Sequence, residues 1–227
     1  MKTDLFEVQG LCVDVKYLVL GPIQNNTYLI SDGQGTMVVD PSCDVDKILE
    51  VLDGTVPDAI VVTHGHWDHF GAAAALREAT GAPVVASAAD APYIEEPPEK
   101  GLARKAVPCS VDRIVGNGDI VKVGGMEWKV ISTPGHSKGS ICLFIVPPFG
   151  NHADGLPVLV SGDTLFEGTV GRTDFEGGSL AEMAASIKKL AALPDDTAVL
   201  PGHNNLTTIG AEWRRVFTRF GDEPEEQ

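Results

Sequence analysis

The segment Thr63-His64-Gly65-His66-Trp67-Asp68-His69 places three histidines and one aspartate within six consecutive positions. Imidazole suits zinc, iron and related ions, and a carboxylate adds charge compensation. In extended backbone, residues two apart point the same way, so His64, His66 and Asp68 are expected on one side of the segment. His69 follows directly and faces elsewhere, which lets the same stretch feed two neighbouring metal positions. A lone histidine here would read as an ordinary surface residue. Four potential ligands in seven positions read as a metal loop.

The flanking residues indicate how that loop is aimed. Ala59 to Thr63 is rich in β-branched side chains and reads as a buried strand. Phe70 to Gly81 reads as a helix stopped by glycine. Three later ligands repeat the strand-then-turn plan. His136 lies in Ser132-Thr133-Pro134-Gly135-His136-Ser137, Asp163 in Ser161-Gly162-Asp163-Thr164, and His203 in Pro201-Gly202-His203, each after an apolar run. Any one of these alone is weak, but repeated use of one sheet edge is how a site is assembled from distant sequence. His152 falls outside these motifs, in the loop from Pro147 to Pro157, and reads as a surface residue.

The rest of the chain supplies the scaffold. Val13 to Leu20 reads as the first strand, and Asn26 to Ile30 with Thr36 to Asp40 as a hairpin. Asp44 can cap a helix to about Leu52, with Val45, Ile48, Leu49 and Leu52 on one face. Further strands are expected at Pro83 to Ala86, within Val111 to Val130, at Ile141 to Val146 and at Val158 to Val160. Ala91 to Pro108 carries Pro92, Pro97, Pro98 and Pro108 with several glutamates, which predicts an irregular excursion. Ser179 with Glu182 forms a capping-box signature for a helix with Leu180, Met183, Ala184, Ile187 and Leu190 at core spacing. Thr197 to Leu200 reads as the last strand and Thr208 to Phe220 as a closing helix. Strands first, then strands and helices mixed, predict a layered α/β sandwich in one domain, 1–227.

Bulk composition narrows the function classes. With 43% hydrophobic and 22% charged residues, a folded core is expected and disorder is not. A net charge of −15 argues against nucleic acid as partner, since phosphate backbones need clustered Lys and Arg. No stretch approaches the ~18 apolar residues a membrane span needs, so no membrane partner is expected. The N-terminal residues show no secretory pattern. Cys12, Cys43, Cys109 and Cys142 form no CxxC pair, and both features fit a reducing, cytoplasmic setting.

Taken together, His64-x-His66-x-Asp68-His69, His136, Asp163 and His203 resemble the metallo-β-lactamase superfamily, from Asn26 to about Glu212. The resemblance implies a four-layer αββα sandwich with a metal site at the sheet edge. It implies His64, His66 and His136 on one ion, Asp68, His69 and His203 on a second, and Asp163 bridging them. Gly162-Asp163-Thr164-Leu165-Phe166 and Gly171-Arg172-Thr173-Asp174-Phe175 look like the glyoxalase II group. Gly135-His136-Ser137-x-Gly139-Ser140 and Pro201-Gly202-His203 look like its short, single-domain branch. Metallo-β-lactamases proper match less well, since they lack the bridging aspartate of Gly-Asp-Thr.

The implied activity is that of a hydroxyacylglutathione hydrolase-like thioesterase with two divalent metal ions, zinc first and iron or manganese as alternatives. Two ions ~3.5–4 Å apart can share a hydroxide that attacks an acyl carbon, and Asp68 can orient it as well as ligate. A small-molecule thioester suits such a site because a thiolate leaves without a strong general acid. Lys138, two residues after His136, can carry its ammonium to a substrate carboxylate. Arg172 offers either a substrate contact or an ion pair with Asp174, the simpler reading. The acidic end from Gly221 to Gln227 is ill suited to grip an anionic tripeptide, which leaves the thiol open along with the acyl group, the metal and the oligomeric state. A mononuclear iron persulfide dioxygenase on His64, His136 and Asp163 is the first alternative, and a non-enzymatic metal-binding protein the second.

Overall fold

Adjacent residues in the central strands belong to different cores, and that alternation fixes the layers. Met37 and Val39 face one apolar cluster while Val38 faces another; Ala59 and Val61 alternate in the same way with Ile60 and Val62. Val158 and Val160 share the first cluster, whereas Leu159 belongs to a third. Strands covered on both faces read as continuous apolar runs, which is why these segments show no polar alternation.

The computed structural model describes residues 5–97, 106–150 and 152–220. The first sheet has seven strands in sequential order: β1 (Leu5–Val8), β2 (Asp14–Leu20), β3 (Asn25–Ser31), β4 (Thr36–Val39), β5 (Ala59–Val61), β6 (Val84–Ser87) and β7 (Arg113–Val115). Strands β1 to β4 pair antiparallel and β4 to β7 parallel. Helical crossovers join the parallel members: α1 (Val45–Leu52), then α2 (Trp67–Phe70) with α3 (Ala73–Thr80), then α4 (Ala91–Glu95). The second sheet has six strands, ordered β15-β14-β11-β10-β9-β8. Its members are β8 (Ile120–Val123), β9 (Met126–Ser132), β10 (Ile141–Ile145), β11 (Val158–Gly162), β14 (Ala198–Pro201) and β15 (Thr207–Thr208). A small hairpin, β12 (Leu165–Phe166) and β13 (Thr169–Val170), leaves it after β11, and α5 (Leu180–Leu190) crosses to β14. The described chain closes through α6 (Ile209–Glu212), a π-helical turn (Trp213–Phe217) and α7 (Thr218–Phe220).

Three clusters separate four layers. Val13, Tyr28, Ile30, Trp128 and Leu143 pack between the two sheets. Ile48 and Leu52 of α1, with Phe70 and Leu76, cover the outer face of the first sheet. Met183, Ile187 and Leu190 of α5, with Val216 and Phe217, cover the outer face of the second. The result is the four-layer αββα sandwich expected from the sequence resemblance. Each fully buried aliphatic side chain contributes roughly 1.5–3 kcal/mol, so these interfaces hold the sheet edges in place.

Several expectations are corrected here. The helix expected from Phe70 to Gly81 starts at Trp67, breaks, and resumes at Ala73. Asp44 precedes α1 without capping it, because its carboxylate takes the Lys47 ammonium instead. Leu180, expected on the core stripe of α5, is 62% exposed. The excursion from Ala91 begins as a helix with Pro92 in its first turn, where proline's missing N–H costs nothing. Residues 106 to 108 are irregular as expected, while 98 to 105 of that stretch and the acidic end from 221 to 227 lie outside the described residues. Four segments escaped the sequence reading: β1, β15, the β12–β13 hairpin and the π-helical turn.

Candidate metal centre

Parallel strands present their carboxyl ends at one edge, where open α/β sheets place ligands. Asp40 follows β4 and His64 follows β5; in the second sheet His136 follows β9, Asp163 follows β11 and His203 follows β14. The expected ligands therefore meet between the two sheets' edges. Ligand atoms of His64, His66 and His136 lie within 4.8 Å of one another, as do those of Asp68, His69 and His203. A third set, His64, His69 and Asp163, joins the two. Asp163 Oδ2 sits 3.4 Å from His136 Nε2 and 3.7 Å from His203 Nε2, and its Oδ1 sits 3.4 Å from His69 Nε2. All seven expected residues are brought together. The strand-like spacing argument is overturned for Asp68, which joins His69 rather than His64 and His66. The chain turns helical at Trp67, so Asp68 and His69 are separated by about 100° of helix rotation instead of pointing to opposite faces.

Each imidazole is oriented by what its far nitrogen touches. His69 Nδ1 donates to Asp40 Oδ2 at 2.8 Å, and His136 Nδ1 donates to the Arg172 carbonyl at 2.7 Å. His203 Nδ1 points at the carbonyls of Ile23 and Gln24 at 3.1 and 3.2 Å. The Thr63 hydroxyl donates to Asp40, which leaves its oxygen to accept from His64 Nδ1 at 3.1 Å. Four histidines thus present Nε2 to the centre. His66 presents Nδ1, 2.8 Å from His136 Nε2. Outer partners that fix tautomer and ring angle in this way accompany metal-binding histidines.

The electrostatics suit a cation. Burial, then the neighbouring imidazoles, pushes His64 well below the ordinary histidine range and His66 down to about 4. Burial opposes ionisation of Asp68 and Asp163, yet His69 beside both carboxyls holds them low. His69 goes the other way: burial is outweighed by the carboxylates of Asp163, Asp68 and Asp40, which raise it well above the usual value. His64 Nε2 and Asp163 Oδ1 are buried without a hydrogen-bond partner. Buried polar atoms left unpaired are costly, and these two belong to the ligand groups. Imidazole nitrogens and carboxylate oxygens converging on one point match the donor set of zinc or iron.

The centre forms the floor of a cavity of about 950 Å³. Ile23, Trp67, Tyr93, Phe166 and Phe175 make much of its wall. Lys138 and Arg172 both line it, where a substrate contact would require them. Arg172 also makes the ion pair with Asp174, at 2.7 and 2.6 Å, and its guanidinium lies 3.9 Å over the Phe175 ring. His152 lies elsewhere, exposed and 2.8 Å from Asp14. The four cysteines are free thiols and belong to none of the ligand groups. The sequence reading missed Asp40 and Thr63. The available signal was Asp40's position directly after a buried strand, the same plan that revealed the ligands. It also missed the aromatic wall, whose members come from α2, α4, β12 and the loop that holds Phe175, with no shared motif.

Known proteins resemble this chain over most of its length. An uncharacterised protein of Aquifex aeolicus is 38% identical over 215 residues, covering 92% of this chain and 97% of the relative. Hydroxyacylglutathione hydrolase GloC of Haemophilus influenzae is 30% identical, covering 89% and 96%. Among solved structures, the BLEG-1 B3 metallo-beta-lactamase superposes with a TM-score of 0.78 at 34% identity, covering 89% of this chain and 98% of that one. A protein crystallised in a di-iron-bound form gives 0.73 at 36% identity, covering 87% and 96%. ETHE1 from Myxococcus xanthus gives 0.72 at 29%, covering 88% and 82%. Among the described residues no helix is long and apolar enough to cross a membrane. A family model matches residues 20–203, and with the fold and the ligand cluster it places the chain in the metallo-beta-lactamase superfamily.

Proposed function

We propose that the protein is a metal-dependent hydrolase that cleaves small-molecule thioesters such as lactoylglutathione. In this reading His64, His66 and His136 hold one divalent ion, Asp68, His69 and His203 hold a second, and Asp163 lies between them. The observation that carries it is the pair of complete ligand triads joined by Asp163 at the floor of the cavity. When bound, such ions supply Lewis acidity and a nucleophile at neutral pH. The chain supplies the rest. Asp68 Oδ2, 3.2 Å from His203 Nε2 and 3.3 Å from His69 Nε2, faces the cavity and can take a hydrogen bond from the attacking water. The aromatic wall excludes bulk water from the acyl group, and Lys138 offers an ammonium to a substrate carboxylate at the rim. A thiolate leaving group needs no strong acid, which suits a cavity floor built of ligands. The similarity to a hydroxyacylglutathione hydrolase over nearly the full chain supports the substrate class.

A second reading, a mononuclear iron persulfide dioxygenase, is favoured by the likeness to ETHE1. The complete Asp68, His69 and His203 triad leans against it, since one ion would leave these three without a task. Purified protein should be assayed with lactoylglutathione, with a β-lactam because of the BLEG-1 likeness, and with glutathione persulfide under an oxygen electrode. Thioester cleavage abolished by a chelator and restored by zinc or iron is the expected result. Oxygen uptake with persulfide and no thioester cleavage would favour the second reading.

A further inference from the structure

Asp90 is not in the ligand set, yet it touches both loops that carry the three-histidine group. It follows β6 at the same sheet edge and is 1% exposed. Its Oδ2 accepts from the Gly65 N–H at 2.8 Å and from the Ser137 hydroxyl at 2.6 Å. Its Oδ1 accepts from the Gly139 N–H at 2.8 Å. Gly65 lies between His64 and His66, and Ser137 to Gly139 directly follow His136. One buried carboxylate therefore bridges two ligand loops about 70 residues apart in sequence. Burying such a group is costly unless donors satisfy it, and here three do. Two of them are main-chain amides, whose positions are tied to the loops themselves.

The fit leaves little slack. A Cβ at Gly139 would lie 2.5 Å from Asp90 Oδ1, and a Cβ at Gly65 would lie 2.8 Å from Tyr93 Cβ and 3.1 Å from the Asp90 carbonyl. Both glycines let the backbone close onto Asp90 and the residues around it. Asp40 performs the matching task on the other side, gripping Thr63 and His69 from the end of β4. Because β5 lies between β4 and β6, the metal loop is held from both flanks. Asp40 serves the position with His69; Asp90 spans the gap that His66 and His136 share.

We propose that Asp90 is a positioning residue that sets the approach of His66 to His136, and with it ion affinity at the three-histidine position. The proposal rests on the metal reading above, and its test separates the two. Asp90→Asn keeps the shape but turns one acceptor into a donor. Whichever way the amide is turned, it opposes a main-chain N–H of Gly65 or Gly139. Ser137→Ala removes one donor and leaves both main-chain bonds, so it is the gentler companion. Cobalt(II) is titrated into each metal-free variant against a competing chelator, with the two binding steps assigned by His66→Ala and His203→Ala. Loss of an outer partner typically costs about 10–100-fold in metal affinity. A loss of that size is expected at the three-histidine step in Asp90→Asn, with a changed cobalt absorption spectrum there and little change at the other step. Ser137→Ala should show a smaller loss at the same step. Unchanged affinity and spectrum at that step, or equal losses at both steps alongside a lower Tm, would overturn the proposal. Should Asp90→Asn fail to fold, Ser137→Ala decides, and unchanged affinity at the three-histidine step is then the contrary result. Failure of the parent protein to bind cobalt would instead refute the metal reading.

Discussion

Among single residues, His64 is bound closely into the ligand cluster. Its Nδ1 is committed to Thr63, its Nε2 is buried without a partner, and it belongs to two of the three ligand groups. His64→Ala and His69→Ala should each lower the metal content of the purified protein, because a lost ligand removes coordination energy and unbalances the charges left behind. Elemental analysis checks this, and full two-ion occupancy in both variants would refute the ligand roles. Lys138 makes a different prediction. If its ammonium binds a substrate carboxylate equally in ground and transition states, Lys138→Ala raises KM about tenfold with kcat nearly unchanged. Steady-state kinetics with lactoylglutathione check it, and an unchanged KM would remove the substrate role. His152→Ala should leave metal content and activity unaltered, since its loop joins the far end of β10 to β11, away from the His136 turn. The ligands were legible because their types and spacing are rare in combination. Asp40 and Asp90 were not, because a carboxylate that serves by accepting N–H groups from other loops has no local signature.

At the scale of elements, backbone periodicity decided which readings held. The runs at β4, β5 and β11 were legible because a strand buried on both faces leaves an unbroken apolar stretch. Alternation across the metal loop failed for Asp68 because helix α2 begins inside the motif, and its four residues are too few to show a period. The two-residue strands β12, β13 and β15 were invisible for the same reason. Half of the capping-box signature at Ser179 is formed: its hydroxyl accepts from the Glu182 N–H, but its own N–H donates to the Gly135 carbonyl beside His136 rather than to the Glu182 carboxylate. Ser179→Ala should therefore cost about 1 kcal/mol, a fall in Tm of roughly 2–4 °C for a chain of this size. A thermal melt measures it. An unchanged Tm would mean the cap contributes nothing, and the main-chain bond to Gly135 predicts that metal content is kept.

Across the whole molecule, two sheets packed face to face bring together residues from 64 to 203 at one edge of the sandwich, and three apolar clusters hold that register. The layered α/β class was legible from element order, while the cavity wall was not, since Ile23, Tyr93, Phe166 and Phe175 converge only through the fold. On the proposed function, Lys138 and Arg172 lining the cavity of a chain with net charge −15 fit a small anionic substrate better than a polyanion. A two-ion hydrolytic centre is tested by counting ions and activity on one sample. The protein is stripped with chelator, reloaded stepwise with zinc or iron(II), and assayed for lactoylglutathione cleavage and for oxygen uptake with persulfide at each step. Saturation at two ions per chain is expected, with thioester cleavage reaching its maximum only as the second ion binds. Saturation at a single iron with oxygen uptake and no thioester cleavage would contradict it.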